Sequence, residues 1–186
     1  MRGIVSWVAR TAKSAFAVCA TLWVIGATTF LLLKETKVFL ADFVTYAVIS
    51  LASEAFFTGI TTQLRRLRKR EPIDWRLPCQ PFLWSIFVYG LSAALSFRLI
   101  EMWYPAFFDW PWYLRGVAYM TCIYLWEYFW GWRIEALTGS CPWKYRESPW
   151  KIWRYVNPYF FWSWYCFGFV LEFIHVQIVP MLPGIR

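Results

Sequence analysis

Five apolar runs separated by short polar or basic segments organise the chain, at about Ala15–Leu33, Val38–Leu64, Pro81–Trp103, Gly116–Ile134 and Pro158–Val179. A hydrocarbon core takes about 20 residues of helix, and each run is of that order. Hydrocarbon offers backbone groups no partner, so every run is expected to be an α-helix. All ten prolines fall at or outside the run ends, which predicts spans without proline kinks. The pattern predicts an all-α, multi-pass transmembrane helix bundle. Residues 1–37 read as an N-terminal signal-anchor helix, and residues 38–186 as a four-helix membrane domain.

Composition agrees. The chain is 60% hydrophobic and 16% charged, against roughly 45–50% apolar for a typical soluble domain. The net charge of +8 raises nucleic acid as a partner. No nucleic-acid motif accompanies it, and the basic residues cluster beside apolar spans, so nucleic acid is excluded. An N-terminus on the cytoplasmic side, or the matrix or stromal side of an organelle, puts 14 of the 19 Lys and Arg residues on that side and the C-terminus opposite. Arg2, Arg10 and Lys13 precede a first run too long for a usual signal peptide, hence the uncleaved anchor. The acid-free first 34 residues also have the character of a mitochondrial presequence, which makes the mitochondrial inner membrane one candidate home. The cluster Arg65, Arg66, Arg68, Lys69 and Arg70 is a topology signal and a candidate contact for anionic lipid headgroups.

Two aromatic segments read as interfacial, where an amphipathic ring keeps one end wet. They are YPAFFDWPW at 104–112 and the Trp- and base-rich loop 138–157, expected as a short interfacial helix. Five cysteines show no CxxC or Cys/His spacing, so neither a disulfide framework nor structural zinc is expected.

Ionisable residues inside the runs are where function would be argued. Ser50, Glu54, Thr58 and Thr61 form one polar stripe at helical spacing. Tyr89, Ser92 and Ser96 form another. Gly168, Glu172 and His175 share a third face, and Glu127 sits among the aromatics of YLWEYFWGW. Counted from the inner ends, Glu54 and Glu127 lie about 15 and 10 Å deep, and Arg98, Glu172 and His175 about 25, 21 and 25 Å. An outer Arg98–Glu172 pair is therefore expected, with His175 beyond it. The inner layer holds two protonatable carboxyls that Arg65 and Arg133 could reach by snorkelling. Glu127 is expected to point at the Ser50–Glu54–Thr58 stripe, either as polar glue between helices or as a proton, ion or polar-headgroup site. Glu172-x-x-His175 is half of a carboxylate-bridged metal motif. With a single His, no metal site is expected. No triad, Walker A or GxGxxG pattern occurs, so no catalytic residue is assigned and an enzyme ranks last.

The segments YAVISLASEAFFT (46–58), SIFVYG (85–90), YLWEYFWGW (124–132), SCPWKY (140–145) and FVLEF (169–173) resemble, in order and spacing, the transmembrane protein 229 family. Its bacterial relatives carry a type IV ABC-transporter membrane-protein label. The resemblance covers about residues 46–179 and leaves the first span outside. It implies a four-helix family core plus one extra N-terminal transmembrane helix. It places Glu54, Glu127, Glu172, Cys141, Pro142 and Trp143 at motif positions. Arg98 falls where the family tends to have Arg, while Phe97 stands where an acid usually lies beside it. No reaction comes with the resemblance.

Two functions follow as expectations. One is a non-enzymatic accessory subunit of a larger membrane complex, with other membrane-protein subunits as partners. The other is a lipid- or small-molecule-handling protein using Glu54 and Glu127. No cofactor is expected in either case, and bound phospholipid is compatible with both.

Overall fold

A computed structural model describes residues 2–74, 84–143 and 154–182, with side chains from Val18 onward. Among the described residues the chain is all-helical. The helices are α1 (Arg2–Arg68), α2 (Ser92–Trp103), α3 (Trp112–Thr138) and α4 (Phe161–Phe173). A π-helical turn, Ile86–Leu91, leads into α2, and a second, Ile174–Ile178, continues α4. Short 3₁₀ turns lie at Pro105–Asp109, Pro158–Phe160 and Val179–Met181.

Among the described residues, three helical stretches are long and apolar enough to cross a membrane: Val18–Arg68, Ile86–Trp103 and Pro158–Met181. By length and composition they are compatible with a membrane protein, and they overlap four of the five expected spans. The first two runs meet at Glu35, which leaves helical geometry (φ −137°, ψ 45°) between the expected ends at Leu33 and Val38 and so divides α1 into two helices across a kink. The fourth run, within α3, has length enough at 27 residues, about 40 Å. It falls short in mean hydropathy because eight of its residues are Trp or Tyr, each an apolar body with a polar tip. Helical irregularity occurs without proline, in the two π turns. The expected start of the third run at Pro81, and most of the expected interfacial helix within 138–157, lie outside the described residues.

The chain divides into two compact units, Met1–Leu40 and Ala41–Arg186. The first is the helical stretch containing Glu35, with Val18, Leu22, Trp23, Ile25 and Leu33 exposed. The packing and the site described below belong to the second.

Its helices end for local reasons. Arg65, Arg66 and Arg68 occupy the last turn of α1, where cations suit the negative end of the helix dipole. Arg70, at φ 58°, then turns the chain out of the helix. Gly139 closes α3 in the left-handed conformation at φ 78°, its N–H bonded to the Glu135 carbonyl at 2.9 Å.

Packing between α3 and α4 is reciprocal. A Cβ on Gly116 would lie 2.2 Å from the Tyr165 ring, and one on Gly168 would lie 2.3 Å from Tyr119 Cβ. Each glycine receives a tyrosine from the other helix, the close approach that small residues permit in membrane bundles. Against α2, Trp126 and Trp130 donate their indole N–H groups to Ser96 (3.0 Å) and Ser92 (2.9 Å). One turn separates the members of each pair, as antiparallel neighbours require. Phe97 is the centre of the core, with ring centroids 5.8 Å from Tyr46, 5.7 Å from Tyr119 and 4.8 Å from His175.

The segment before α4 is pinned to the end of α3. Tyr155 is buried, lies where a Cβ on Gly131 would be, and donates its hydroxyl to Glu135. Glu135 also pairs with Arg154 at 2.5 Å. Burial, and then the bond to Glu135, push the Tyr155 phenol above the usual tyrosine range.

Candidate functional site

The polar residues inside the second unit sort into three groups. The innermost is a cavity of about 410 Å³, within the roughly 300–1,000 Å³ typical of small-molecule sites. Glu127 comes to it from α3, Ser50, Ser53 and Glu54 from α1, and Trp164 from α4. Arg65, exposed at the end of α1, also lines it, and so does Tyr89 of the first π turn. Glu127 is only 2% exposed and Ser50 1%. The Glu127 Oε2, Ser50 Oγ and Trp164 Nε1 atoms are buried with no hydrogen-bond partner. Unpartnered polar atoms cost about 1–3 kcal/mol each when buried. Three at one cavity are therefore an anomaly that calls for an explanation. Glu127 and Tyr89 also line a second, apolar cavity of about 50 Å³ between α2, α3 and α4.

Glu127 thus shares its cavity with Ser50 and Glu54. Thr58 and Thr61, the remaining members of the expected stripe, donate their hydroxyls to the carbonyls of Glu54 (2.7 Å) and Phe57 (2.8 Å) on their own helix. Of the two cations expected to reach inward, Arg65 lines the cavity. Arg133 instead lies over the Trp132 ring, 5.3 Å from its centroid.

The second group corrects the expected Arg98–Glu172 pair. Arg98 binds Asp42, whose side chain is fully buried, and donates to Glu101 at 2.6 Å. His175 Nε2 lies 3.5 Å from Glu101 Oε2, and its ring stacks on Phe97 at an interplanar angle of 22°. Glu172 belongs to the third group. It takes Arg115 Nη2 at 3.1 Å and the Tyr119 hydroxyl at 2.6 Å. Arg115 in turn caps the 104–110 segment, donating Nη1 to the carbonyls of Phe108 (2.5 Å) and Trp110 (2.9 Å). Glu172 and His175, placed on one face by sequence spacing, part at the π turn that begins at Ile174.

Asp42, Tyr46, Glu101 and Arg115 are the polar residues that sequence reasoning missed. Asp42 and Tyr46 had a signal: Asp42, Tyr46, Ser50 and Glu54 follow one another at strict four-residue spacing, so the stripe extends two turns further than read. Tyr46 is fully buried, and its hydroxyl has no hydrogen-bond partner. Glu101 and Arg115 sit near run ends, where a charge ordinarily needs no explanation.

Of the loop residues, Cys141 is buried, Pro142 is exposed and Trp143 lines the large cavity. Arg66 donates to the Pro72 carbonyl at 2.9 Å, while Arg68, Lys69 and Arg70 are exposed. Among the described residues, no three His, Cys, Asp or Glu side chains converge as a metal site would need. No protein-family model matches the chain, and no solved structure matches it.

Proposed function

We propose that the chain is a lipid- or small-molecule-handling, multi-pass membrane protein that takes a polar ligand into its intramembrane cavity, with Glu127 and Glu54 as the ligating carboxyls. One observation carries this. Glu127 and Glu54 line a space of about 410 Å³, and one Glu127 carboxyl oxygen is buried without a hydrogen-bond partner. Polar groups in hydrocarbon are expensive and are retained where they act. The accessory-subunit reading rests on missing catalytic motifs, whereas the cavity is a positive feature; a ligand-bearing subunit of a complex would satisfy both.

If the basic ends face inward, the mouth at Arg65 opens to the cytoplasmic, matrix or stromal side. On the proposed kinship with the transmembrane protein 229 family, two motif acids, Glu54 and Glu127, are cavity residues. The third, Glu172, holds α3 and α4 together.

The test is to purify Glu127→Gln and Glu54→Gln variants in mild detergent beside the parent and identify what co-purifies by mass spectrometry. A molecule held by the parent and lost from folded variants is expected, with a changed cellular lipid profile. Identical contents and an unchanged profile in folded variants would end the proposal.

A further inference from the structure

His175, the single histidine of the chain, sits in the π turn that continues α4, and only 3% of it is exposed. Ring faces surround it. Phe97 of α2 stacks on the imidazole at 4.8 Å and 22°, Phe108 of the 104–110 segment at 6.2 Å and 16°, and Tyr46 of α1 at 6.4 Å and 23°. Its Nε2 atom lies 3.5 Å from Glu101 Oε2. Ring faces and a carboxylate are the surroundings of a cation, because the face of an aromatic ring is the negative part of its quadrupole.

The fixed charges ask for the same thing. From α1 comes Asp42, fully buried, paired with Arg98 and within electrostatic reach of His175. From α2 come Arg98 and Glu101, joined at 2.6 Å. α3 brings Tyr119 against Phe97, and the phenol is bonded to Glu172, whose charge Arg115 balances. Asp109, on the 104–110 segment, is exposed. Among the described residues, the carboxylates of Asp42 and Glu101 thus share the one guanidinium of Arg98. An unbalanced charge in such surroundings is costly. Histidine is the side chain that ordinarily changes charge between about pH 5 and 8, and His175 is the member of this cluster able to supply the missing positive charge.

We propose that Asp42, Arg98, Glu101 and His175 form a proton-binding site that latches the end of α4 to α2. The Glu101 side chain, 47% exposed, is the way in from water. One proton passes from water to the Glu101 carboxyl and on to the His175 ring, and Glu101 is left a carboxylate as before. The ring becomes an imidazolium that donates to Glu101 Oε2, and the cluster becomes neutral. Loss of the proton reverses the step and removes the tie. The place suits a latch. π turns inside helices occur frequently at functional sites. This one carries His175, and Glu101 stands in the last turn of α2. The competing account is a neutral histidine packed as one more ring of the aromatic core.

A single histidine gives a single set of imidazole resonances. The full-length protein, labelled with nitrogen-15 at histidine and held in detergent, is therefore titrated from about pH 5 to 9. Both ring nitrogens should report one titration. In Glu101→Gln its midpoint should fall by about one pH unit or more. Phe108→Leu, which removes a ring face, should move it the same way by less. Glu71→Gln, exposed beyond the other end of α1, should leave it in place. Hydrogen exchange, corrected for the intrinsic pH dependence of amides, reads the latch. The amides of residues 174–178 should exchange about fivefold or more slowly on the acid side of the midpoint, with no such step in His175→Gln.

Resonances that hold one state across the range overturn the site, as does a Glu101→Gln curve that superimposes on the parent's. Exchange at 174–178 that is unchanged across the midpoint overturns the latch, and so does a step that persists in His175→Gln. If Glu101→Gln fails to fold, Phe108→Leu and the exchange step of the parent decide.

Discussion

Gly168→Ala adds one methyl group to α4, and the geometry says where it goes. The new Cβ would lie 2.3 Å from Tyr119 Cβ, 2.8 Å from its Cγ and 3.0 Å from Cδ2. The nearest atom is the root of the tyrosine, so no rotamer change clears it, and α3 and α4 must separate. Overpacking of this kind costs about 1–3 kcal/mol. Separation also strains the 2.6 Å bond from Tyr119 to Glu172, and a hydrogen bond to a charged group is worth about 1.5–3 kcal/mol. The expected loss is therefore about 2.5–6 kcal/mol, a fall of the order of 10 °C in Tm for a chain of this size.

Gly116→Ala should cost less. Its Cβ meets the far end of the Tyr165 ring, 2.2 Å from Cζ, which can swing at some loss of packing. Gly26→Ala, with nothing within 4 Å, should be neutral or stabilising by about 0.5–1 kcal/mol, because glycine in a helix interior loses more chain entropy. Thermal unfolding in detergent, followed by intrinsic Trp fluorescence, ranks the three. If Gly168→Ala melts with the parent or with Gly26→Ala, the interlocked glycine–tyrosine packing of α3 on α4 is wrong.

Other interactions give further tests. Arg98→Met leaves the fully buried Asp42 without its cation and should cost about 3–5 kcal/mol. Adding Asp42→Leu should restore much of that, and a double variant no more stable than the single one would argue against the pair. Ser92→Ala strands the Trp130 indole N–H at about 1–3 kcal/mol. The double variant with Trp130→Phe should show clear coupling in denaturant unfolding, and additive losses would contradict the bond. Tyr155 supplies a pH test. Its phenol is raised in the folded protein, so the stability it gives is complete below the unfolded tyrosine value of about 10 and lost as pH rises through the higher folded value. Thermal stability of the parent should drop more steeply above pH 10 than that of Tyr155→Phe, and parallel curves would refute the Glu135 bond.

How much of the site was legible depended on which coordinate mattered. Sequence spacing supplies position along a helix and azimuth within it, and for Glu127 that sufficed. The one acid in YLWEYFWGW had to turn away from lipid, and it shares a cavity with Ser50 and Glu54. For Arg98 and Glu172 the same counting misled. Their depths matched, but depth does not say which helices are adjacent at that level. Asp42 and Arg115 were nearer than either was to the other. The π turns escaped because neither contains proline and the lone Gly90 in the first does not announce one, and the second separates Glu172 from His175.

The sequence by itself determined the class of protein and the backbone solution. Long apolar runs with few charges belong in hydrocarbon, where a segment must satisfy its own hydrogen bonds, and that leaves helices. It also determined that a few polar groups would have to face inward. Only the tertiary structure decided what they face. Partner choice is a property of neighbouring helices, set by where glycines let α3 and α4 close and where Trp–Ser bonds fix α2 against α3. The cavity is the space these contacts leave unfilled, and an unfilled space has no residues of its own for a sequence to display.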